Sequence, residues 1–131
     1  MNTTLIDTLV AVPLLLANHP DHAHVMSWAK GKRLGFAGHA IFETYAVLTR
    51  LPIDSRLVPA QAQRLIAQYE EAEPPPVSNQ EAIRIMATHN ISGGQVYDAL
   101  VALATSSQKL VTRDRRALDL YSKLGVEVEM I

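Results

Sequence analysis

The sequence predicts an α/β fold of three layers, with a central, mainly parallel sheet between two layers of helices. Short apolar runs of strand length alternate along the chain with longer segments of helical period. This alternation is typical of parallel sheets whose strands are joined by helices. A chain of 131 residues suffices for one hydrophobic core, so we expect a single domain over residues 1–131.

Four apolar runs are the predicted strands, at residues 4–7, 34–37, 109–112 and 126–130. The predicted helices occupy residues 8–16, 20–30, 39–51, 59–71, 95–106 and 115–124, with one more beginning after Ser78. Pro52 ends the third helix, because proline lacks the amide proton that a helix needs. Ser78 and Glu81 have the spacing of a capping box, and Gly125 follows the last helix as a stop signal.

Composition and charge exclude several classes of function. With 12 basic and 13 acidic residues the net charge is −1, so binding of nucleic acid by charge alone is excluded and any contact should be local. The chain has no cysteine, which excludes thiolate chemistry and suits a cytoplasmic protein. The apolar run at residues 8–17 is too short to cross a membrane, so we interpret it as core and expect no membrane contact.

Four acidic residues occupy positions where an α/β sheet binds ligands, near the carboxyl ends of strands. Asp7 ends the first predicted strand, and Asp114 follows a later one. Glu43 and Asp98 lie in helices, and the neighbours of Asp98 are so apolar that we expect this helix to be largely buried. A buried carboxylate needs a compensating charge, and clustered carboxylates suit Mg²⁺ or Mn²⁺.

Each acid also has a simpler interpretation. Asp7 and Asp114 have the position of helix N-caps. Glu43 has Arg50 on the same helix as a possible partner, and Asp98 would be satisfied by a buried arginine. The four acids therefore indicate a metal site through their combination, since no single one of them does.

The combination resembles the PIN-domain family, and its VapC-type members in particular. The matching segments are Asp7-Thr8-Leu9-Val10, Glu43 in mid-helix with Leu48 and Arg50, Asp98-Ala99 with Ala102, and Leu110-Val111-Thr112-Arg113-Asp114. The segment from His19 to His22 and the last strand are also similar to VapC-type sequences. The resemblance therefore spans nearly the whole chain.

The resemblance implies a Mg²⁺- or Mn²⁺-dependent endoribonuclease that is the toxin of a toxin–antitoxin pair. It implies that Asp7, Glu43, Asp98 and Asp114 hold the metal and that the Thr112 hydroxyl supports the last carboxylate. It further implies RNA as substrate, a VapB-type antitoxin whose peptide covers the site, and a homodimer. We expect Arg113 and Arg115, which flank Asp114, to contact RNA phosphates.

Two positions depart from the family pattern. Leu9 replaces the usual Ser or Asn, and Arg116 stands where many members have a further acid. Leu9 favours the alternative of a catalytically weakened PIN scaffold that acts mainly by binding an antitoxin or a dimer partner. Leu9 also disfavours an aspartyl-phosphate phosphatase, because such an enzyme needs a second Asp at this position. A receiver domain is disfavoured as well, because it needs a lysine at the end of a late strand, whereas Lys109 begins one.

Three other groups of residues have a possible role in binding. The histidines around Asp21 lack the spacing of convergent zinc ligands, so we interpret the segment as a helix start with Pro20 in its first position. The basic run at residues 30–33 is either an RNA contact or ordinary surface. Four aromatic residues could stack on bases: Trp28, Tyr45, Tyr69 and Tyr97. Their helical spacing, however, favours a place in the core or in an interface.

Overall fold

The computed structural model describes residues 2–71, 77–105 and 108–131. Five parallel strands form one sheet: β1 (Thr4–Ile6), β2 (Leu34–Phe36), β3 (Glu70–Glu71), β4 (Leu110–Thr112) and β5 (Val128–Met130). Their order across the sheet is β3-β2-β1-β4-β5. The predicted parallel sheet is therefore confirmed, with β1 in its centre.

Within the described residues, seven α-helices connect the strands: α1 (Thr8–Leu15), α2 (His22–Ala29), α3 (Ala40–Arg50), α4 (Pro59–Ile66), α5 (Asn79–Thr88), α6 (Gln95–Thr105) and α7 (Leu118–Lys123). Crossovers between parallel strands are right-handed, which places α1 to α4 on one face of the sheet and α5 to α7 on the other. The contacts of α1 with α3 and of α6 with α7 agree with this division. The three predicted layers are confirmed.

The strand order also fixes where a ligand site belongs. From β1 the chain moves toward β2, whereas from β4 it moves toward β5 on the other side. The direction of winding therefore switches between β1 and β4, and a crevice opens at the carboxyl ends of these two strands. Both strands are almost fully buried, so they anchor this end of the sheet in the core.

Two predicted helices have different bounds. The prediction of a helix over residues 59–71 is wrong in its last part, because α4 ends at Ile66 and residues 70 and 71 pair with Gly35 and Phe36 as strand β3. Arg33 and Thr3 both donate hydrogen bonds to the Glu70 carboxylate and hold this edge strand in place. Pro20 is not the first residue of α2, which begins at His22.

Local signals explain other boundaries. The Ser78 hydroxyl accepts the Glu81 N–H at 3.1 Å, so Ser78 is the N-cap of α5 as predicted. The second half of the capping box is absent from the hydrogen bonds of the described residues, because the Glu81 carboxylate pairs with Arg84. The last predicted helix begins as a 3₁₀ turn, Arg115–Ala117, before α7. Ser106, the last residue of the predicted helix at residues 95–106, and the proline-rich segment at residues 73–76 lie outside the described residues.

Gly38 fixes the start of α3 against α6. Its φ is +53°, a conformation that side chains rarely adopt, and a Cβ there would lie 2.7 Å from the Ala104 Cβ. The loop after β2 can therefore approach α6 this closely only with glycine. This contact fixes the loop that leads into α3, the helix of Glu43, against α6, the helix of Asp98.

Candidate metal centre

The four predicted acids line one cavity at the switch point between β1 and β4. Asp7 follows β1, Asp114 follows β4 by one residue, and Glu43 and Asp98 lie in the first turns of α3 and α6. The structure therefore places Glu43 near the start of its helix and not in its middle. We call this space, of about 230 Å³, the acid cavity; its lining residues are Asp7, Thr8, Leu9, Glu43, Asp98, Val101, Asp114, Arg116 and Tyr121.

Asp7 is the most buried of the four acids. Only 6% of its surface is exposed, and burial raises the pKa of its carboxyl to about 6. Its Oδ2 accepts a hydrogen bond from the Tyr121 hydroxyl at 3.3 Å. Its Oδ1 is buried and has no hydrogen-bond partner among the described residues, although the Thr112 hydroxyl and the Val10 backbone lower the pKa of the carboxyl against the larger effect of burial. An unpaired buried oxygen is costly, so Oδ1 has the character of a ligand atom without its ligand.

Asp98 is less buried than its apolar neighbours predicted. It is half-buried, and on its helix Tyr97 is exposed. Burial still raises the pKa of the Asp98 carboxyl, and the charges of Asp114 and Glu43 raise it further, against a smaller effect of Arg116. The expectation of a largely buried helix is therefore wrong for its first turn, and the fully buried carboxylate is Asp7.

The simpler interpretations of the four acids, as helix caps or as partners of arginines, hold only in part. Asp114 does act as a cap, because its Oδ1 accepts the Arg116 N–H at 3.0 Å. Asp7 has the N-cap position of α1 without a side-chain cap hydrogen bond. Neither Glu43 with Arg50 nor Asp98 with any arginine is among the ion pairs of the described residues.

Three hydroxyl groups order this region, and sequence analysis identified only one of them. Thr8 donates to Glu43 Oε2 at 3.1 Å, and Tyr121 donates to Asp7. Thr112 is fully buried, and its hydroxyl accepts the Asp114 N–H at 3.0 Å. Thr112 therefore supports Asp114 through its backbone, whereas we expected it to support the carboxylate.

The three arginines around Asp114 have different surroundings, and the contact of Arg113 and Arg115 with RNA phosphates stays a prediction. Arg113 forms an ion pair with Asp21 at 3.0 Å and is only 24% exposed, so it does not point freely toward solvent. Arg115 is exposed and does not line the acid cavity. Arg116 does line it, with its Nε 3.9 Å from Asp114 Oδ1 and a side chain that is 96% exposed. The cation beside the acids is thus Arg116.

Among the other candidate binding groups, Lys32, Arg33, Trp28 and Tyr69 make structural contacts. Arg33 pairs with Glu70, and Lys32 contacts the carbonyl and the ring of Trp28. The run at residues 30–33 directly precedes β2, so it lies at the amino ends of the parallel strands, whereas the acids lie at the carboxyl ends. Trp28 donates to Glu129, and Tyr69 packs edge-on against Phe36. Tyr45 and Tyr97 are exposed. None of the described helices has the length and apolar character needed to span a membrane.

The donor chemistry of the acid cavity fits a hard divalent cation. Carboxylate oxygens are the ligands that Mg²⁺ and Mn²⁺ prefer, and Asp7 Oδ1 is a buried oxygen without a partner among the described residues. In the described part of the chain, no three His, Asp or Glu side chains are arranged to hold an ion as they stand.

Comparison with known proteins identifies the family. The family model described as PIN domain matches residues 4–123. Ribonuclease VapC27 of Mycobacterium tuberculosis H37Rv is 47% identical over 94% of this chain and 93% of its own length. Ribonuclease VapC40 of the same species, strain CDC 1551, is 36% identical over 95% and 96%.

A solved structure supports the same fold. The crystal structure of PAE2754 from Pyrobaculum aerophilum superposes with a TM-score of 0.59 at 23% identity, over 93% of this chain and 96% of that one. At this identity the likeness concerns the fold alone. The sequence matches carry the assignment further: the chain belongs to the PIN-domain family, and within that family to the VapC type.

Proposed function

We propose that the chain is a cytoplasmic, divalent-metal-dependent endoribonuclease and the toxin of a toxin–antitoxin pair. One observation carries this proposal: four acids from four separate elements line a single cavity at the switch point of the sheet, and the most buried of them keeps an unpartnered oxygen. The names of the two relatives, both ribonucleases of the VapC series, support RNA as the substrate.

In the proposed site, Asp7, Glu43, Asp98 and Asp114 hold Mg²⁺ or Mn²⁺. The metal would lower the pKa of a bound water and offset charge on the phosphate. The chain contributes the orientation of the ligands: Tyr121 fixes Asp7 Oδ2, Thr8 fixes Glu43, and Thr112 fixes the backbone of Asp114. Arg116, exposed at the rim of the cavity, is placed to contact an RNA phosphate.

The test compares RNA cleavage in Mg²⁺, in Mn²⁺ and in EDTA, with single-stranded and structured RNA as well as DNA. The wild-type chain should cleave RNA only with metal. Asp98→Asn, which removes one ligand charge, should abolish cleavage while the protein stays folded. Asp54→Asn, which removes an exposed carboxylate that does not line the acid cavity, is the matched control and should cleave normally. A folded wild-type chain that cuts no RNA with either metal would overturn the proposal.

The alternative is a weakened scaffold that mainly binds other proteins, and Leu9 is the observation that favours it. Leu9 is 47% exposed and lines the acid cavity at a position where the family usually has a small polar residue. Thr8 nevertheless supplies a hydroxyl to Glu43 from the adjacent position. Leu9→Ser distinguishes the two: an inactive wild-type chain that gains cleavage with this change would support the alternative.

We further propose a VapB-type antitoxin and a second copy of the chain as protein partners. An apolar groove of about 670 Å³ lies between α3 and α4, with Phe42 and Tyr45 exposed along it. Phe42 adjoins Glu43 in sequence, so an antitoxin peptide that covers the acid cavity would reach the groove with its apolar residues.

The two partners can be tested separately. Phe42→Ser should lower antitoxin affinity without changing RNA cleavage by the free chain. Light scattering of the free chain tests the homodimer, and a monomer at every concentration would contradict that part of the proposal.

A further inference from the structure

A second cavity lies beside the acid cavity and shares two of its lining residues. It has a volume of about 320 Å³, and we call it the side cavity; its lining residues are Thr8, Leu9, Val12, Pro13, His19, Asp21, Val47 and Arg113. Thr8 and Leu9 form the wall between the two spaces. A ligand whose reacting bond lies at the four acids would therefore extend directly into the side cavity.

The segment from His19 to His22 builds the far wall, and its hydrogen bonds hold it rigid. His19 Nδ1 accepts the backbone N–H of Asp21 at 3.0 Å, so in the neutral ring the proton is on Nε2. His22 Nδ1 lies 2.8 Å from the carbonyl oxygen of Pro13, which ties the start of α2 to α1. These contacts fix the start of α2 beside the side cavity.

The charges that line the side cavity disfavour the binding of either an anion or a cation. Arg113 and Asp21 form an ion pair in its wall, so a phosphate would meet the Asp21 carboxylate and a cation would meet the Arg113 guanidinium. The remaining lining is mostly apolar, from Leu9, Val12 and Val47 among others. A neutral, flat ligand with both donor and acceptor atoms on its edge satisfies this combination. The volume is near the lower end of the range for ligand pockets, ~300–1,000 Å³.

We propose that the side cavity binds the nucleobase of a nucleotide adjacent to the RNA bond that is cleaved at the acid cavity. The inference rests on the proposed function and adds a base-recognition subsite to it. The base would pack on Leu9 and the other apolar side chains, while its edge contacts Asp21 and Arg113. This arrangement gives single-stranded RNA an advantage, because a paired base cannot leave its stack freely.

The test is sequencing of the products from a randomised single-stranded RNA cut by the wild-type chain, Asp21→Asn and Asp54→Asn. The wild type should show a base preference at one position next to the cut. Asp21→Asn should reduce that preference roughly five- to tenfold and leave other positions unchanged. Asp54→Asn removes an equal charge outside the side cavity and should keep the preference. Binding of the same library in EDTA gives a readout without cleavage and should show the same loss.

The outcomes separate this inference from the proposed function. If all three proteins cleave with the same profile, the nuclease stands and the base subsite is wrong. If Asp21→Asn changes antitoxin affinity but not RNA selection, the side cavity is a protein-docking site and the inference is also wrong. If the wild type neither binds nor cleaves RNA, both proposals fail.

Discussion

The hydroxyl of Tyr121 donates to Asp7 Oδ2 across 114 positions of sequence, at 3.3 Å. Tyr121 is 1% exposed, so the bond lies within the core at the base of the acid cavity. It fixes one oxygen of Asp7 and leaves the other, Oδ1, without a partner among the described residues. In our account, α7 thereby orients a carboxylate that follows the central strand.

Tyr121→Phe should weaken Mn²⁺ binding and RNA cleavage by roughly 10-fold, since loss of a group that orients a metal ligand has effects of this size. The ring still fills its place in the core, so the fold should persist. Calorimetric titration with Mn²⁺ measures the effect. Tyr69→Phe is the matched control, because Tyr69 packs against Phe36 and does not line the acid cavity. Unchanged Mn²⁺ affinity in Tyr121→Phe would contradict the orienting role.

Asp7→Asn should stabilise the metal-free protein above pH 6. Burial raises the pKa of Asp7 from 3.8 to about 6, so the folded state holds this proton more tightly than the unfolded state. The contribution of Asp7 to the free energy of unfolding is therefore greatest below about pH 4 and is lost as the pH rises through 6. A shift of this size corresponds to about 3 kcal/mol.

Urea unfolding in EDTA at pH 4 and pH 7.5 tests this prediction. The gain from Asp7→Asn should appear at pH 7.5 and vanish at pH 4, whereas Asp54→Asn should show no such difference. A variant that is less stable than the wild type at pH 7.5 would show that the charged carboxylate has a compensating partner.

Arg116→Ala should lower RNA affinity more than Arg115→Ala, although the two residues are neighbours. Arg116 lines the acid cavity, whereas Arg115 does not. Loss of a phosphate contact should also reduce the slope of log affinity against log salt by about 1. Fluorescence anisotropy with short single-stranded RNA in EDTA, at several salt concentrations, gives both quantities. Equal effects of the two substitutions would contradict a local role for Arg116.

Gly38→Ala should lower the free energy of unfolding by at least about 2 kcal/mol, through a strained backbone and overpacking. The added Cβ would meet Ala104 at 2.7 Å, and φ is +53°. Urea denaturation measures the loss, with Gly31→Ala as control: its φ is also positive, at +78°, but nothing lies within 4 Å of the added atom. The difference between the two isolates the contact with α6.

The main features of the fold were predictable because they depend on local patterns. Apolar runs and helical periods identified four of the five strands, and the acids that follow β1 and β4 meet because carboxyl ends of parallel strands share an edge. Strand β3 was not predictable, since it has only two residues, both glutamates, and is held by Arg33 and Thr3 from distant parts of the chain.

The candidate site, like the fold, was predictable only where it depends on local sequence patterns. The four acids share a cavity as expected, and their role as metal ligands remains a prediction. The apolar neighbours of Asp98 predicted a largely buried helix, but the first turn of α6 is only half-buried, and the most buried of the four acids is Asp7. Tyr121 was missed because its contact with Asp7 depends on how α7 packs in the folded chain, and no sequence spacing indicates that contact. The pairing of Arg113 with Asp21 is likewise tertiary.

The most direct test of the central claim is a Mn²⁺ titration of the metal-free chain, followed by an RNA cleavage assay on each titrated sample. Our account predicts that cleavage by the wild type rises in step with bound Mn²⁺ and that Asp54→Asn behaves alike. Asp98→Asn should bind Mn²⁺ more weakly and cleave no RNA at the concentrations that saturate the wild type. Cleavage that is already complete in EDTA, or that Asp98→Asn retains in full, would contradict the assignment of these acids to a metal-dependent ribonuclease site.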